Sequence, residues 1–179
     1  MNESIVLGGG CFWCLDTLYR RVNGVVEVVS GYAGGEKANP SYWDLHKPGN
    51  KHAEVIRVTF DVTQIDLQTI LEIFWAMHDP TTLNQQGNDI GVEYRSIILY
   101  YSDSQCTVIN TSIENTAKKL WQKPLTTEIK PLKKFWPAEE EHQDYFNKHP
   151  EKAYCQIIIN PKVAKLKRQF TTLLHDPQQ

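Results

Sequence analysis

Segments with the periodicity of strands alternate with helical segments along the 179-residue chain, and this alternation limits the fold more than any other feature. Residues 52–60 are the clearest strand, in which Glu54 shares a face with the apolar residues at every second position up to Phe60. Residues 66–78 and 104–122 carry apolar side chains at helical spacing. Because several predicted strands lack a helical crossover, we expect a mixed β-sheet with helices packed against it, an α+β two-layer domain.

The remaining predicted elements are shorter, and a chain of this length fits one domain. We expect residues 1–179 to form a single domain, in which about residues 150–179 are an irregular C-terminal extension wrapped on the core. The other predicted strands are 5–7, 25–30, 94–101, 126–130 and 156–159, and the other predicted helices are 11–22, 139–146 and 163–174.

Composition argues against several classes of protein. The formal net charge is −2, so the whole chain has no excess of positive charge for binding nucleic acid or an anionic membrane. No apolar stretch approaches the roughly 20 residues of a membrane helix, and the first residues lack the basic and apolar regions of a signal peptide. We therefore expect a cytoplasmic protein. Its four cysteines indicate reactive thiols, metal ligands or small buried residues rather than structural disulfides.

The segment from Gly8 to Cys14, with the sequence GGGCFWC, carries the clearest chemical signal. A predicted strand runs into three glycines, and a helix then begins at Cys11. Unpaired N–H groups and the positive end of the helix dipole stabilise a thiolate there, so we expect the pKa of Cys11 to fall below about 8.5. Cys11 and Cys14 form a C-x-x-C pair, which suits thiol–disulfide exchange or one half of a zinc site. Since the chain has no second C-x-x-C pair, we expect no metal.

Glu54 is a candidate proton donor. Burial on an apolar strand face would disfavour the charged carboxylate and raise its pKa, so that the carboxyl could deliver a proton near neutral pH. Alternation alone equally allows a residue at the strand end that points to water. Aromatic side chains in predicted loops are further candidates for lining a site; they are Tyr32, Tyr42, Trp43, Tyr94, Trp136 and Tyr145.

The sequence resembles the peptide methionine sulfoxide reductases of the A class over roughly residues 5–155. Each shared motif is weak by itself, whereas the ordered series is highly specific. The motifs are GCFW (10–13), SGYAGG (30–35), NPSY (39–42), HAEV (52–55), HDPTT (78–82), QGND (86–89), YRS (94–96) and AE (138–139) with HQDY (142–145).

This resemblance implies an enzyme that reduces the S epimer of methionine sulfoxide, free or in oxidised proteins. It also implies an α/β two-layer sandwich, the ferredoxin-like plait, that acts as a monomer without a bound cofactor. On the matching positions, Cys11 is the nucleophile and becomes a sulfenic acid, and thioredoxin or another dithiol finally restores it. Glu54 protonates the sulfoxide oxygen, which Tyr42 and Tyr94 hold in place.

The resemblance also assigns residues that bind the substrate. Phe12 and Trp13 form the apolar pocket for the S-methyl group. Asp89, His142 and Tyr145 belong to the polar shell around it.

Two cysteines compete for the role of resolving the sulfenic acid, because members of the family keep that thiol in different places. Cys14 is close to Cys11 in sequence and on the same helical face. Cys155 matches the position of a resolving cysteine near the C-terminus of some members, but it requires a mobile segment. We expect a relay in which both take part. Cys106 has the apolar spacing of Ile109, and we expect it to be inert core.

Two other functions fit the Cys11–Cys14 pair. A general thiol–disulfide exchange protein would reduce unrelated disulfides and ignore sulfoxides, although the thioredoxin pattern around the pair is missing. A redox sensor or binder would oxidise its thiol stoichiometrically, without turnover.

Overall fold

The computed structural model describes residues 1–175, in which six strands form one mixed sheet. Two further short strands, β4 and β5, pair only with each other. The strands of the described residues are β1 (Asn2–Gly8), β2 (Val25–Ala33), β3 (Ala53–Asp61), β4 (Gln85–Gln86), β5 (Asp89–Ile90), β6 (Ile97–Tyr100), β7 (Glu128–Pro131) and β8 (Trp136–Pro137).

Most helices are short. None of those within residues 1–175 is both long and apolar enough to cross a membrane. The α-helices are α1 (Phe12–Tyr19), α2 (Tyr42–Leu45), α3 (Leu67–Met77), α4 (Asp103–Ser112), α5 (Lys118–Leu120), α6 (Tyr145–Lys148) and α7 (Asn160–Gln169). The 3₁₀ turns are Val92–Tyr94, Glu140–His142 and Thr171–Leu173, and the π-helical turns are Ile113–Ala117 and Cys155–Ile159.

The centre of the fold is the β1-α1-β2-β3-α3-β6 unit, whose strands lie in the order β6-β1-β3-β2 with every neighbouring pair antiparallel. This is the topology of the ferredoxin-like plait. β7 is added parallel to β6 at one edge, and β8 is added antiparallel to β2 at the other. The prediction of a mixed sheet in an α+β two-layer domain is confirmed.

The two faces of β3 belong to different parts of the core. Its even-numbered residues, from Glu54 to Phe60, face α1 and α3, and their apolar members belong to the main hydrophobic cluster. Val55 faces a smaller cluster that Leu132 and Phe135 cover. The alternation in the sequence therefore places Glu54 correctly, on the face covered by the helices.

The strand predicted at 156–159 is wrong, because this segment is a π-helical turn that runs directly into α7. Its buried residues recur at helical spacing, since Cys155, Ile159, Val163 and Leu166 all lie inside. α7 packs against α1 and α3, so this part of the predicted C-terminal extension is an ordered layer on the core. Residues 176–179 of that extension lie outside the described part of the chain.

Three other predictions near the sheet edge differ from the structure. Residues 92–94 form a 3₁₀ turn, so the strand predicted at 94–101 begins only at Ile97. The helix predicted at 104–122 is interrupted after Ser112 by a π-helical turn. Cys106 is only half-buried, because it lies at the side of the α4 face that Gln105, Ile109 and Ser112 bury.

His78 connects α3 to the sheet as a buried, neutral side chain. Its Nδ1–H donates to the carbonyl oxygen of Phe74 at 2.6 Å, and its Nε2 lies 2.7 Å from Oγ of Ser96, from which it accepts. Burial lowers the pKa of His78 to about 4, because the interior disfavours the charged imidazolium.

We predict that acid destabilises this protein through His78. Below about pH 6.5 the histidine of the unfolded chain takes up a proton, whereas the folded chain resists protonation down to about pH 4. The free energy of unfolding should therefore fall between these values, by at most about 3 kcal/mol from this one group. Urea unfolding at pH 7, 5.5 and 4 measures the slope, which His78→Asn should reduce and His149→Gln, at a half-exposed position, should retain. An unchanged slope in His78→Asn would contradict the prediction.

Candidate active site

The turn between β1 and α1 places Cys11 at the helix N-terminus. Gly10 has φ +91°, a conformation that favours glycine, and its N–H donates to the carbonyl oxygen of Tyr94 at 3.1 Å. A Cβ at Gly8 would lie 2.7 Å from a methyl carbon of Ile97. β1 can therefore approach β6 this closely only because residue 8 has no side chain. Cys11 is the N-cap of α1, as the sequence predicted.

Glu54 lies beside this turn. β1 and β3 pair in a register that sets Leu7 opposite Ile56, so the start of β3 runs past the glycines that follow β1. The N–H of Phe12, the first residue of α1, donates to Oε1 of Glu54 at 3.2 Å. The Glu54 side chain is therefore joined to the same helix end as Cys11.

The Glu54 carboxyl is protonated at neutral pH. Only 1% of the residue is exposed, and this burial raises its pKa to about 8. The negative charges of Glu93 and Asp89 act in the same direction, while the N–H of Phe12 opposes them. The alternative in which Glu54 points to water is excluded by its burial.

Tyr42 and Tyr94 lie within the electrostatic field of Glu54 and Cys11. Burial raises the pKa of Tyr42 to about 12, and the charges of Glu54 and Cys11 contribute to the shift. The pKa of Tyr94 is raised for the same reasons. Both phenols are therefore neutral hydrogen-bond donors near the carboxyl.

Aromatic rings pack beside Cys11. We call the rings of Phe12, Trp13, Tyr42, His142 and Tyr145 the aromatic wall. The ring of Trp13 is stacked on that of Tyr145 at 3.7 Å between centroids, and its indole N–H donates to Nδ1 of His142 at 3.3 Å. The His142 ring lies 5.5 Å from that of Phe12 and 4.5 Å from that of Tyr42. Burial lowers the pKa of His142, which keeps the ring neutral and able to accept from the indole.

Glu139 supports this wall from below. Its two carboxylate oxygens accept from the hydroxyl of Tyr32 at 2.9 Å and from the backbone N–H of Tyr42 at 3.1 Å. Tyr32 is fully buried in β2, so its assignment to a loop is wrong. Ligand atoms of Glu139, Glu141 and His142 lie within 4.8 Å of one another. Both carboxylate oxygens of Glu139 and Nδ1 of His142 take part in the hydrogen bonds that support the wall.

Cys14 and Cys155 both lie next to the wall, and both are buried. The Tyr154 hydroxyl donates to Oδ2 of Asp89 at 2.7 Å and lies 3.9 Å from the sulfur of Cys14. Burial raises the pKa of Cys155, and the charge of Cys14 adds to this shift. The structure thus brings both candidate resolving thiols towards Cys11 in a single buried group.

The expectation of an acidified Cys11 is wrong for the unliganded site. Burial raises the pKa of Cys11 well above its ordinary value, and the neighbouring Cys14 and the charge of Glu54 raise it further. The neighbouring Cys11 lowers the pKa of Cys14 to about 7. Desolvation therefore outweighs the helix N-terminus at Cys11, and the two thiols titrate as one coupled pair.

Comparison with known proteins decides the family. The sequence profile described as "Peptide methionine sulfoxide reductase" matches residues 3–174. The chain is 47% identical over 173 residues to peptide methionine sulfoxide reductase MsrA of Pseudarthrobacter chlorophenolicus, which covers 97% of this chain and 99% of that protein.

The chain belongs to the family of peptide methionine sulfoxide reductases. Solved structures agree with this. Reduced Mxr1 of Saccharomyces cerevisiae is similar with a TM-score of 0.79 and 33% identity, covering 86% of this chain and 89% of that one. Mxr1 in complex with Trx2 is similar with a TM-score of 0.56 and 27% identity, and the match covers 80% of this chain and 84% of that one. This reductase is therefore a thiol-dependent oxidoreductase that acts on methionine sulfoxide.

In this methionine sulfoxide reductase, sequence reasoning missed two residues that hold the site together. Glu139 was part of a recognised motif, but the sequence did not show that β8 and the turn after it bring this residue beneath Tyr42. Tyr154 was missed because the segment after it was expected to be a strand. An aromatic hydroxyl directly before Cys155 was the available signal.

We predict that Glu54 lowers the free energy of unfolding of the reductase at neutral pH, compared with a variant that has glutamine at this position. The unfolded carboxyl ionises near pH 4.5, whereas the folded one keeps its proton up to about pH 8. Rising pH therefore favours unfolding of the wild type, and Glu54→Gln removes this effect. Urea unfolding should show the variant to be more stable at pH 7, by on the order of 3 kcal/mol, with a gain that grows from pH 5 to 8. The exposed Glu36→Gln should show no such trend, and a pH-independent gain in Glu54→Gln would refute the idea.

Proposed function

We propose that this chain reduces the S epimer of methionine sulfoxide, free or in oxidised proteins, with Cys11 as nucleophile and Glu54 as general acid. The observation that carries the proposal is the buried Glu54 carboxyl, which is joined to the N–H of Phe12 and has a pKa of about 8. A sulfoxide sulfur is a poor electrophile until its oxygen is protonated, and a protonated acid beside a thiol meets that need. We further propose that residues 1–179 act as one catalytic domain.

The neighbouring side chains suit the rest of the substrate. Tyr42 and Tyr94, as neutral phenols, would donate to the sulfoxide oxygen while its charge develops. Phe12 and Trp13 would receive the S-methyl group. The packing supports this assignment, since Phe12 and Cys11 belong to one apolar cluster against which Trp13 packs.

Asp89, His142 and Tyr145 would form the surrounding polar shell. His142 and Tyr145 orient Trp13 through their hydrogen bond and stacking contacts. The Asp89 carboxylate lies close enough for its charge to raise the pKa of Glu54.

The proton of the Cys11 thiol also needs an acceptor, and Cys14 fits this role. Cys11 would transfer its proton to the Cys14 thiolate as its sulfur attacks, while Glu54 protonates the sulfoxide oxygen. In sum, one oxygen passes from the methionine sulfur to the Cys11 sulfur, which is oxidised to a sulfenic acid as methionine is released.

Recovery of the thiol would proceed as a relay. The Cys14 thiol condenses with the Cys11 sulfenic acid to form a disulfide and water. Cys155, which lies close enough to Cys14 for the charge of Cys14 to raise its pKa, then attacks Cys14 and frees Cys11 as a thiol. An external dithiol, a thioredoxin by analogy with the complex of Mxr1 and Trx2, reduces the last disulfide.

The burial of the three thiols sets one condition on this relay. Cys11 is 8% exposed, Cys14 is 1% exposed and Cys155 is fully buried. A protein dithiol reaches such sulfurs only after the segment around Cys155 moves, and the bond between Tyr154 and Asp89 holds that segment closed.

We predict that Cys11→Ser abolishes reduction of the S epimer of N-acetylmethionine sulfoxide with dithiothreitol as reductant, because the variant lacks the sulfur that attacks the sulfoxide. Glu54→Gln should retain the thiol but lose about 100-fold or more in rate. Cys106→Ser, at a half-buried position on α4, serves as the matched control and should remain active. Full activity in Cys11→Ser would end the proposal, and reduction of insulin without reduction of sulfoxide would favour a thiol–disulfide exchange protein.

The relay predicts a different disulfide in each cysteine variant after one turnover without reductant. Mass spectrometry should find Cys14 joined to Cys155 in the wild type. Cys155→Ser should accumulate a bond between Cys11 and Cys14, and recycling by thioredoxin should slow at least tenfold. An unchanged rate of recycling in Cys155→Ser would remove Cys155 from the scheme.

A further inference from the structure

Glu93 is a nearly buried carboxylate to which the mechanism above gives no role. It lies in the 3₁₀ turn directly before Tyr94, and 8% of the residue is exposed. Burying a carboxylate is costly unless a partner compensates its charge. Within residues 1–175, the only basic group within 4 Å of it is His46, whose Nδ1 lies 3.3 Å from Oε1 of Glu93. Arg95, two residues further on, pairs with Glu128 instead.

The backbone holds the Glu93 carboxylate in a fixed place. Gly91 has φ +152°, and a Cβ at this position would lie 2.6 Å from Cδ of Glu93. The carboxylate therefore occupies the space that a side chain at residue 91 would need. The N–H of Tyr94 donates to the carbonyl oxygen of Gly91 at 3.0 Å and closes the turn. The turn that carries Tyr94 thus also fixes this carboxylate.

His46 connects Glu93 to Tyr42, the other phenol of the site. It is the C-cap of α2, and its ring packs edge-on against that of Tyr42, with 4.7 Å between the centroids. The two residues are four apart, the spacing that brings side chains together on one side of a helical turn. Because Nδ1 of His46 faces the fixed carboxylate of Glu93, the imidazole gives the Tyr42 ring a fixed surface to pack on.

The charge of Glu93 also reaches Glu54. β3, which carries Glu54, packs against the turn that carries Glu93. Burial is the largest cause of the raised pKa of Glu54, and Glu93 is the largest of the neighbouring charges that raise it further. A nearby negative charge disfavours the ionised carboxylate, so Glu93 helps Glu54 to keep its proton. The other titratable groups that interact with the Glu54 carboxyl are Cys11, Cys14, Tyr32, Tyr42, Asp89 and Tyr94.

We propose that Glu93 and His46 form a positioning pair for the reduction of the sulfoxide. The charge of Glu93 acts on the acid, Glu54. The imidazole of His46 holds the ring of Tyr42, so that its hydroxyl stays directed at the sulfoxide oxygen. This inference rests on the proposed reductase activity and adds to it two residues that act through other side chains.

The pH dependence of the rate tests the role of Glu93. The alkaline limb of kcat/KM for the S epimer of N-acetylmethionine sulfoxide should follow the loss of the Glu54 proton. Glu93→Gln removes the charge and keeps the shape, so the pKa of Glu54 should fall. We expect kcat/KM to drop about threefold at pH 9 and less than about 1.5-fold at pH 6.5. The infrared C=O band of the Glu54 acid should also disappear at a lower pH.

Two further variants serve as controls for this shift. Glu93→Asp keeps the charge and should restore most of the alkaline limb. Glu36→Gln, at an exposed position, removes a charge of the same kind and should change neither the limb nor the band.

A double-mutant cycle tests the role of His46. His46→Gln should lower kcat about fivefold in the wild type, because the Tyr42 ring loses its contact. In the Tyr42→Phe background the same change should cost less than about 1.5-fold, since the hydroxyl through which His46 acts is already gone. KM should change less than about twofold in both backgrounds.

The outcomes separate this pair from the reductase itself. A wild type that reduces no sulfoxide would overturn the reductase. In an active wild type, an unmoved limb and band in Glu93→Gln would overturn the role of Glu93. An equal loss at every pH with an unmoved band would do the same, because Glu93 would then only support the fold. Equal losses from His46→Gln in both backgrounds, or no loss in the wild type, would overturn the role of His46, whether or not Glu93→Gln folds.

Discussion

The site depends on one hydrogen bond, from the N–H of Phe12 to the carboxyl of Glu54. It joins the first turn of α1 to the first residues of β3, and so connects the proposed nucleophile, Cys11, to the proposed acid. The acid is kept in a dry environment, where burial raises its pKa to about 8. The ferredoxin-like plait makes this possible, because β1 and β3 are neighbours and the chain leaves β1 directly into α1.

The same burial that protonates Glu54 keeps the proton on Cys11. The reduced site therefore keeps Cys11 as a thiol, and in the proposed mechanism Cys14 accepts its proton. This arrangement limits reaction of Cys11 with solvent oxidants, since a buried thiol is a weak nucleophile until a bound substrate changes its surroundings. The proposed mechanism thus gives Cys14 two roles, first as proton acceptor and then as resolving thiol.

Sequence patterns predict the position of a residue correctly where a single helix or strand determines it. The alternation of β3 placed Glu54 on the helix-covered face, and the glycines before Cys11 placed this cysteine at the start of α1. Sequence patterns do not predict properties that depend on packing between several elements. The pKa of Cys11 depends on how deeply the surrounding elements bury it, and the sequence contains no measure of that depth. The run from Gln156 to Ile159 has strand composition, but α7 packing makes it helical.

Tertiary contacts also supply the residues that support the site. Glu139 lies far from Tyr42 in sequence, yet it accepts the N–H that begins α2. Tyr154 reaches Asp89 and Cys14 only because the turn at Cys155 is helical. Such residues are defined by packing between distant segments, which no local periodicity reports.

The measurement that tests the account most directly is infrared difference spectroscopy of the reduced protein between pH 6 and 9. A buried, protonated Glu54 should give a carboxylic acid C=O band at pH 7 that disappears near pH 8 and is absent from Glu54→Gln. A wild-type spectrum without that band at pH 7, or with a band that Glu54→Gln retains, would contradict the central claim that this carboxyl keeps its proton beside Cys11.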